Sequence, residues 1–372
     1  GYEYDGSIML TASHLPFNRN GFKFFTKDGG LEKADITAIL QLAQDNTYSA
    51  AEKKGEIKIL DFISVYAADI VRKIREKTGE EKPLDGFRIV VDAGNGAGGF
   101  YAEKVLKPLG ACTDGSQFLE PDGSFPNHIP NPEDKDAMAA IQKAVVDNKA
   151  DFGIIFDTDV DRAGAVDRTG KEINRNRIIA LIAAIAIEEH AGATIVTDSI
   201  TSSGLKKFIE EDLGGVHHRF KRGYKNVINE AIRLNNEGIY TPVAIETSGH
   251  GALKENYFLD DGAYLATKIV IEVAKGNDID EMLSNLEMPA EEREIRLNIT
   301  APEFGNYGRQ VIAALEEFAK KIGNREDIWY ATNMEIYDYV TAYRQLVFSA
   351  DGSMVYNPSL VKVWFDADGT AY

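Results

Sequence analysis

The sequence predicts an α/β protein of three related mixed α/β domains followed by an α+β C-terminal domain. Three observations carry this prediction. A short apolar strand at Phe87–Ala93 runs into a glycine-rich turn and then a helix, the unit from which parallel sheets are built. The same rhythm returns twice between Asp151 and Ala274. From Glu291 onward, alternating apolar stretches surround one amphipathic helix instead. At 372 residues the chain exceeds one ordinary core. Its domains are read as 1–82, 83–188, 189–288 and 289–372. The first and last are expected to be incomplete, because no strand is read ahead of Thr11 and the pattern stops abruptly at Tyr372.

Taken in order, Asp35–Gln44 and Ile57–Glu76 have helical apolar spacing, and Lys77–Pro83 is a polar break. Phe87–Ala93 enters Gly94-Asn-Gly-Ala-Gly-Gly99, and a helix is expected over Phe100–Leu109. Pro121–Glu133 is a loop rich in Pro, Asn and Gly. A helix at Lys135–Asn148 leads to the strand Asp151–Phe156, and Arg177–His190 is a long apolar helix. Next come a strand at Ala193–Thr197, a helix at Ser203–Asp212 stopped by Gly214-Gly215, and a strand near His217–Phe220. A helix at Asn226–Asn235, a strand at Thr241–Ile245 and a helix from Asp260-Asp-Gly262 to Ala274 complete this part. Ile295–Ile299 alternates, Gly308–Ile322 is amphipathic, and Tyr337–Ser349 and Leu360–Phe365 read as antiparallel strands.

Composition excludes several classes. A formal charge of −18 argues against nucleic-acid binding, which needs basic surface. No apolar run approaches a membrane span, and the opening residues do not read as a signal peptide. The single cysteine, Cys112, excludes an internal disulfide framework and a cysteine-based zinc site. It favours a reducing compartment, so a cytoplasmic protein is expected. The negative charge would repel a phosphorylated substrate unless basic groups or a divalent cation reverse the field locally.

Three loops carry the candidate chemistry. In Thr11-Ala-Ser-His-Leu-Pro16, followed by Asn20-Gly-Phe-Lys23, the Ser13 hydroxyl could carry a covalent group while His14 or Lys23 moves its proton. In Asp157-Thr-Asp-Val-Asp-Arg162, Asp157, Asp159 and Asp161 share one face of a curled loop and can converge on a hard cation such as Mg²⁺. An EF-hand is excluded, since Arg162 and Arg168 stand where it needs Gly and Glu. A haloacid-dehalogenase-type phosphatase, with Asp157 as nucleophile, is a rival reading. The planar fork of Arg162 suits a phosphate. In Glu246-Thr-Ser-Gly-His250, Glu246 and Ser248 could bind vicinal sugar hydroxyls, with His250 beside them. The basic turn Lys221–Lys225 could contact phosphate. Gly94, Gly96 and Gly99 match a dinucleotide fingerprint, though no second half of such a fold follows.

Together these stretches resemble the α-D-phosphohexomutase family of phosphoglucomutases and phosphomannomutases. The phosphoserine loop T-A-S-H-N-P corresponds to Thr11–Pro16, with Leu15 in place of Asn, and N-G-x-K to Asn20–Lys23. The metal loop D-x-D-x-D-R is Asp157–Arg162, and the sugar loop E-x-S-G-H is Glu246–His250, followed by Asp260-Asp-Gly262. Order and spacing agree from Thr11 to about Ala274. The resemblance implies a phosphoserine at Ser13 and proton transfer by His14 or Lys23. It implies Mg²⁺ on Ser13, Asp157, Asp159 and Asp161, and substrate contacts from Arg162, Gly223, Glu246, Ser248 and His250.

The implied reaction interconverts hexose 1-phosphate and hexose 6-phosphate of glucose or mannose. Glucose 1,6-bisphosphate or mannose 1,6-bisphosphate would be both intermediate and activator. Tyr224 stands where many relatives carry His or another polar residue, so sugar preference is open. The family's last phosphate-binding loop, R-x-S-G-T-E-P, does not occur in the sequence. The alternative is therefore an impaired or non-catalytic relative that binds sugar phosphates or regulates. A monomer or homodimer is expected.

Overall fold

The computed structural model describes residues 4–13, 15, 17–27, 29–49, 52–53, 55–289, 304–323, 325, 333–349, 351, 354–364, 366–367 and 370–371. A strand does precede the first loop: β1 (Gly6–Leu10) pairs antiparallel with β2 (Phe22–Thr26), Ser7 opposite Phe25, and β2 pairs with β3 (Gly29–Gly30). Sequence reading missed β1 because five residues holding Gly and Ser give too short an alternation to register. The helix α1 (Lys33–Asp45) follows. The next helix, α2 (Phe62–Thr78), starts five residues later than its apolar spacing suggests, where Asp61 accepts the Ser64 N–H at 3.1 Å as N-cap.

The second sheet has the order β4-β5-β6-β7, from β4 (Ile89–Asp92), β5 (Phe152–Phe156), β6 (Ala163–Asp167) and β7 (Glu172–Ile173). β4 and β5 run parallel; β5–β6 and β6–β7 run antiparallel. The strands β4 to β6 are buried on both faces, which explains their unbroken apolar runs. The helix α3 (Lys135–Asp147) covers one face, packing Ile141 and Val145 against Val90, Ile155 and Val166. The segment expected as a helix at 100–109 is helical but irregular, with a wide turn at Tyr101–Leu106.

The helix α4 (Asn176–Glu189) leads to the third sheet, of order β11-β10-β8-β9. Its strands and helices are β8 (Thr194–Thr197), α5 (Ser203–Lys207), β9 (Val216–Arg219), α6 (Tyr224–Asn236), β10 (Val243–Ile245), β11 (Gly251–Leu253), α7 (Gly262–Ala274) and α8 (Ile279–Met282). β8 is parallel to β9 and β10, and β11 closes antiparallel. α4 and α7 are buried almost all round, so they read as apolar on every face. The Tyr66 hydroxyl of α2 donates to Asp261, the N-cap of α7, at 2.6–2.7 Å. That contact fixes the end of α7 beside the third sheet's loop.

The chain divides into two compact units, residues 1–292 and 293–372. The second unit has α9 (Phe304–Ile322), α10 (Asn333–Arg344) and the short antiparallel pairs β12 (Val347–Phe348) with β13 (Val355–Tyr356) and β14 (Asp366–Ala367) with β15 (Thr370–Ala371). The strand expected at Tyr337–Ser349 is mostly helix. Aromatic and β-branched residues suggested a strand there, but Ile336, Val340 and Tyr343 recur at the helical spacing i, i+4, i+7. No strand lies among the described residues 360–364, and Ile295–Ile299 falls outside the described residues.

The Gly94–Gly99 turn cradles the protein's own chain. A Cβ on Gly94 (φ +53°) would lie 2.7 Å from Pro130 Cβ, and one on Gly96 would lie 2.6 Å from the Thr158 carbonyl oxygen. The Ala97 N–H donates to that same carbonyl at 2.8 Å, so the turn supports the aspartate loop. Gly96→Ala is expected to destabilise the protein by about 2 kcal/mol, because the clash is with backbone that cannot rotate away. Urea unfolding measures it, and an unchanged midpoint would contradict this role.

Candidate active site

The Ser13 loop spans β1 and β2. The Thr11 hydroxyl accepts the Ser13 N–H and donates to Asp159 Oδ2, both at 2.8 Å, which ties the serine loop to the aspartate loop. Ser13 has φ +53°, a left-handed conformation that costs a non-glycine residue on the order of 1 kcal/mol. A cavity of about 410 Å³ is lined by Ser13, Arg19, Asn20, Thr158 and Asp159, among others. His14 lies outside the described residues. Leu15, the departure from the loop's usual Asn, is exposed.

The aspartate loop follows β5 and curls at Val160, which has φ +66°, an unusual value for a β-branched residue. Its carbonyl accepts the Gly262 N–H at 2.9 Å. Oxygens of Asp157, Asp159 and Asp161 lie within 4.8 Å of one another. Arg162, 2% exposed, donates from its backbone N–H and from Nε to the two oxygens of Asp157, each at 3.1 Å.

Burial, together with the charge of Asp161, pushes the Asp157 carboxyl well above the usual carboxylate range. Burial pushes Asp161 the same way, but His250, Lys23 and a hydrogen bond from Asp157 hold it below that range. Lys23 Nζ sits 3.0 Å from Asp161 Oδ2 and 3.4 Å from Asp159 Oδ2. Burial alone would lower its pKa, yet the two carboxylates raise it above the ordinary lysine value, so it is firmly protonated. Asp159 Oδ1 and Asp161 Oδ1 are buried without a hydrogen-bond partner. Hard oxygen donors this close, two with unused lone pairs, fit a magnesium ion.

The third loop, Glu246–His250, closes on itself through Glu246 N–H to His250 O at 2.9 Å and Gly249 N–H to Glu246 O at 3.1 Å. Glu246 Oε1 accepts the Gly223 N–H, and Ser248 Oγ lies 3.4 Å from Glu246 Oε2. Burial raises the Glu246 carboxyl above its usual range, against the bond from Gly223. His250 Nδ1 is 2.8 Å from Asp260 Oδ2 and 3.7 Å from Asp161 Oδ1. Burial would lower the imidazole pKa, but Asp260 and then Asp161 raise it above the ordinary value. The Tyr224 ring stacks on His250 at 5.1 Å. Residues 162 and 250 form a backbone bridge, and Ala163 N–H donates to Gly249 O at 3.3 Å, so the aspartate loop and the Glu246–His250 loop are joined through main chain.

Three sheets thus bring Ser13, Lys23, Asp157, Asp159, Asp161, Arg162, Gly223, Glu246, Ser248 and His250 into one cluster of loops. Sequence reading gave no role to Thr11, Arg19 or Asp260. Asp260 and Asp261 could be quoted as a pair, but nothing in the sequence said that the first faces His250 while the second caps α7. Lys225, in the basic turn, pairs with Glu32 at 2.6 Å.

A separate buried histidine is expected to make folding pH-dependent. His217 Nε2 is 2.8 Å from Thr197 Oγ1 while its Nδ1 is buried without a hydrogen-bond partner. Burial, helped by the charge of Arg219, lowers its pKa from 6.5 to about 4. The folded state therefore favours the neutral ring, and the stability this confers is present above pH 6.5 and lost as pH falls toward 4. About 3 kcal/mol should disappear across that window. Urea unfolding at several pH values should show it, and His217→Gln should flatten the dependence; an equally steep variant would refute the assignment.

Known proteins resemble this chain over most of its length. Models of the phosphoglucomutase/phosphomannomutase family match residues 1–50 as α/β/α domain I, 64–170 as domain II and 174–288 as domain III. The chain is 33% identical over 322 residues to a phosphoglucomutase of Neisseria gonorrhoeae, covering 86% of this chain and 66% of that one. It is 32% identical over 286 residues to a phosphomannomutase/phosphoglucomutase of Pseudomonas putida, covering 76% and 56%. A solved phosphoglucomutase/phosphomannomutase family protein from Burkholderia thailandensis matches with TM-score 0.65 and 28% identity, over 76% of this chain and 59% of that one. The chain thus spans less than two thirds of the length of these relatives. Matched across three successive domains, it belongs to the phosphoglucomutase/phosphomannomutase family.

Proposed function

We propose that this chain carries the active site of a phosphohexomutase that interconverts hexose 1-phosphates and hexose 6-phosphates of glucose, mannose or both. The observation that supports it best is the Thr11–Asp159 hydrogen bond, which joins the candidate phosphoserine loop to the candidate metal loop. In this reading Ser13 carries the phosphoryl group. The P–Oγ bond breaks as a sugar hydroxyl oxygen bonds to phosphorus; the hydroxyl proton passes to a protein base, and Ser13 Oγ ends protonated. The resulting 1,6-bisphosphosugar turns over and returns its other phosphoryl group to Ser13.

Glu246 and Ser248 hold sugar hydroxyls, Gly223 fixes Glu246, and Arg162 binds phosphate. Lys23, held protonated by two aspartates, supplies positive charge or a proton. His250, backed by Asp260, is the group in this cluster suited to changing charge near neutral pH. His14 remains a candidate for proton transfer from its place in the motif. Mg²⁺ would be held by Ser13, Asp157, Asp159 and Asp161 and would neutralise phosphoryl charge. We also assign glucose 1,6-bisphosphate or mannose 1,6-bisphosphate as activator, domain boundaries at 82, 188 and 288, a monomer or homodimer, and a cytoplasmic location. Among the described residues no helix is long and apolar enough to cross a membrane.

Asp157 makes a poor phosphatase nucleophile. Arg162 donates to both of its oxygens, which draws off the electron density a nucleophile needs to attack phosphorus. Phosphopeptide mapping after incubation with glucose 1,6-bisphosphate and Mg²⁺ tests the proposal. Phosphate on Ser13 supports the mutase, phosphate on Asp157 favours the phosphatase, and none at all favours the non-catalytic relative.

A further inference from the structure

The Pro121–Glu133 loop supplies none of the reacting groups named above, yet Gly123 and Phe125 line the Ser13 cavity and the loop is pinned hard and ends against Arg162. Its anchor is Asp92, fully buried at the end of β4. Asp92 accepts from Gln117 Nε2 at 2.7 Å and from the Gly94 N–H at 2.8 Å, and His128 Nε2 lies 3.1 Å from both its oxygens. Three residues further on, Asn131 Oδ1 accepts from Arg162 Nη1 at 3.2 Å and from the Glu133 N–H at 3.0 Å. Pro132 O accepts from Asn174 Nδ2 at 2.9 Å, so the loop is also held from the other side.

The guanidinium of Arg162 is therefore gripped at two corners, by Asp157 at Nε and Asn131 at Nη1. A planar group held at two corners has one orientation and little freedom left to lose on binding an anion. The second grip is a neutral amide. It aligns the fork without adding a negative charge, beside a long ion pair from Nη1 to Glu133 Oε2 at 3.9 Å. We propose that Asn131 is a positioning residue for phosphate recognition, acting through Arg162. This rests on the sugar-phosphate reading of the site.

Titration calorimetry with glucose 1-phosphate, and separately with Mg²⁺, tests it on the full chain. Asn131→Ala is expected to weaken glucose 1-phosphate about tenfold while changing Mg²⁺ affinity less than twofold. In an Arg162→Lys background, whose ammonium cannot be held at two corners, the same substitution should cost less than twofold. Asn131→Asp keeps the acceptor and the turn, so it should fold with an unchanged thermal midpoint and still bind glucose 1-phosphate several-fold more weakly. Undiminished affinity in Asn131→Ala or in Asn131→Asp overturns the proposal. So does an equal loss in both backgrounds, which would mark a merely structural role. If the unsubstituted chain binds no glucose 1-phosphate, the sugar-phosphate reading falls first and this inference with it.

Discussion

Ser13→Ala is expected to abolish phosphoryl transfer, lowering turnover by about 10⁴-fold or more, since in the proposed mechanism the Ser13 oxygen holds the phosphate between the two half-reactions. Incorporation of phosphate from glucose 1,6-bisphosphate should vanish with it. The backbone offers a sharper version. At φ +53° Ser13 sits where glycine is favoured, so Ser13→Gly should be equally inactive yet more stable by about 0.5–1 kcal/mol. Activity and stability would then move in opposite directions from one substitution. That is the signature of strain stored at a working residue, which a turn serine with no chemistry would not show. Mass spectrometry of the phosphopeptide and urea unfolding read the two quantities. Mutase turnover retained by Ser13→Ala would sink the mechanism.

The sequence made the loops legible but not their meeting. Asp157, Asp159 and Asp161 could be assigned to one cation because alternate residues of a curled loop share a face, a local property. Glu246 and Ser248 were readable from their chemistry, a carboxylate and a hydroxyl in one short loop that together suit vicinal sugar hydroxyls. The Thr11 hydroxyl bonding Asp159 spans 148 positions, and no local pattern encodes such a contact. Asn131 looked like an ordinary loop residue, because its meaning depends on where Arg162 lies. The glycine turn at 94–99 is the tight structural turn that a lone fingerprint match with no second half implied. Its spacing matches a fingerprint in which backbone approaches a ligand, and backbone does come close, but the partners are Pro130 and Thr158 of the same chain. In the last unit, strand propensity at Tyr337–Ser349 lost to helical periodicity.

Asp159→Asn is expected to weaken Mg²⁺ binding by about 10- to 100-fold, with little change in folding stability. The choice of aspartate matters because the three do different work. Both oxygens of Asp157 are committed to Arg162, 2% exposed. Removing that charge leaves a buried guanidinium underpaired, so Asp157→Asn should cost about 3 kcal/mol or more of stability and confound any binding measurement. Asp159 is different. Its Oδ2 serves Thr11 and Lys23, and its Oδ1 is buried with no hydrogen-bond partner, an orphaned acceptor that a cation would satisfy. An asparagine oxygen can still accept from Thr11, so the serine loop stays tethered while the charge that holds a divalent ion is gone. Calorimetric titration with Mg²⁺ alongside urea unfolding separates the two aspartates. Asp159→Asn protein that binds Mg²⁺ as tightly as the parent would remove the metal from this loop and leave Arg162 and Lys23 as the positive charges by which so acidic a chain could hold a phosphate.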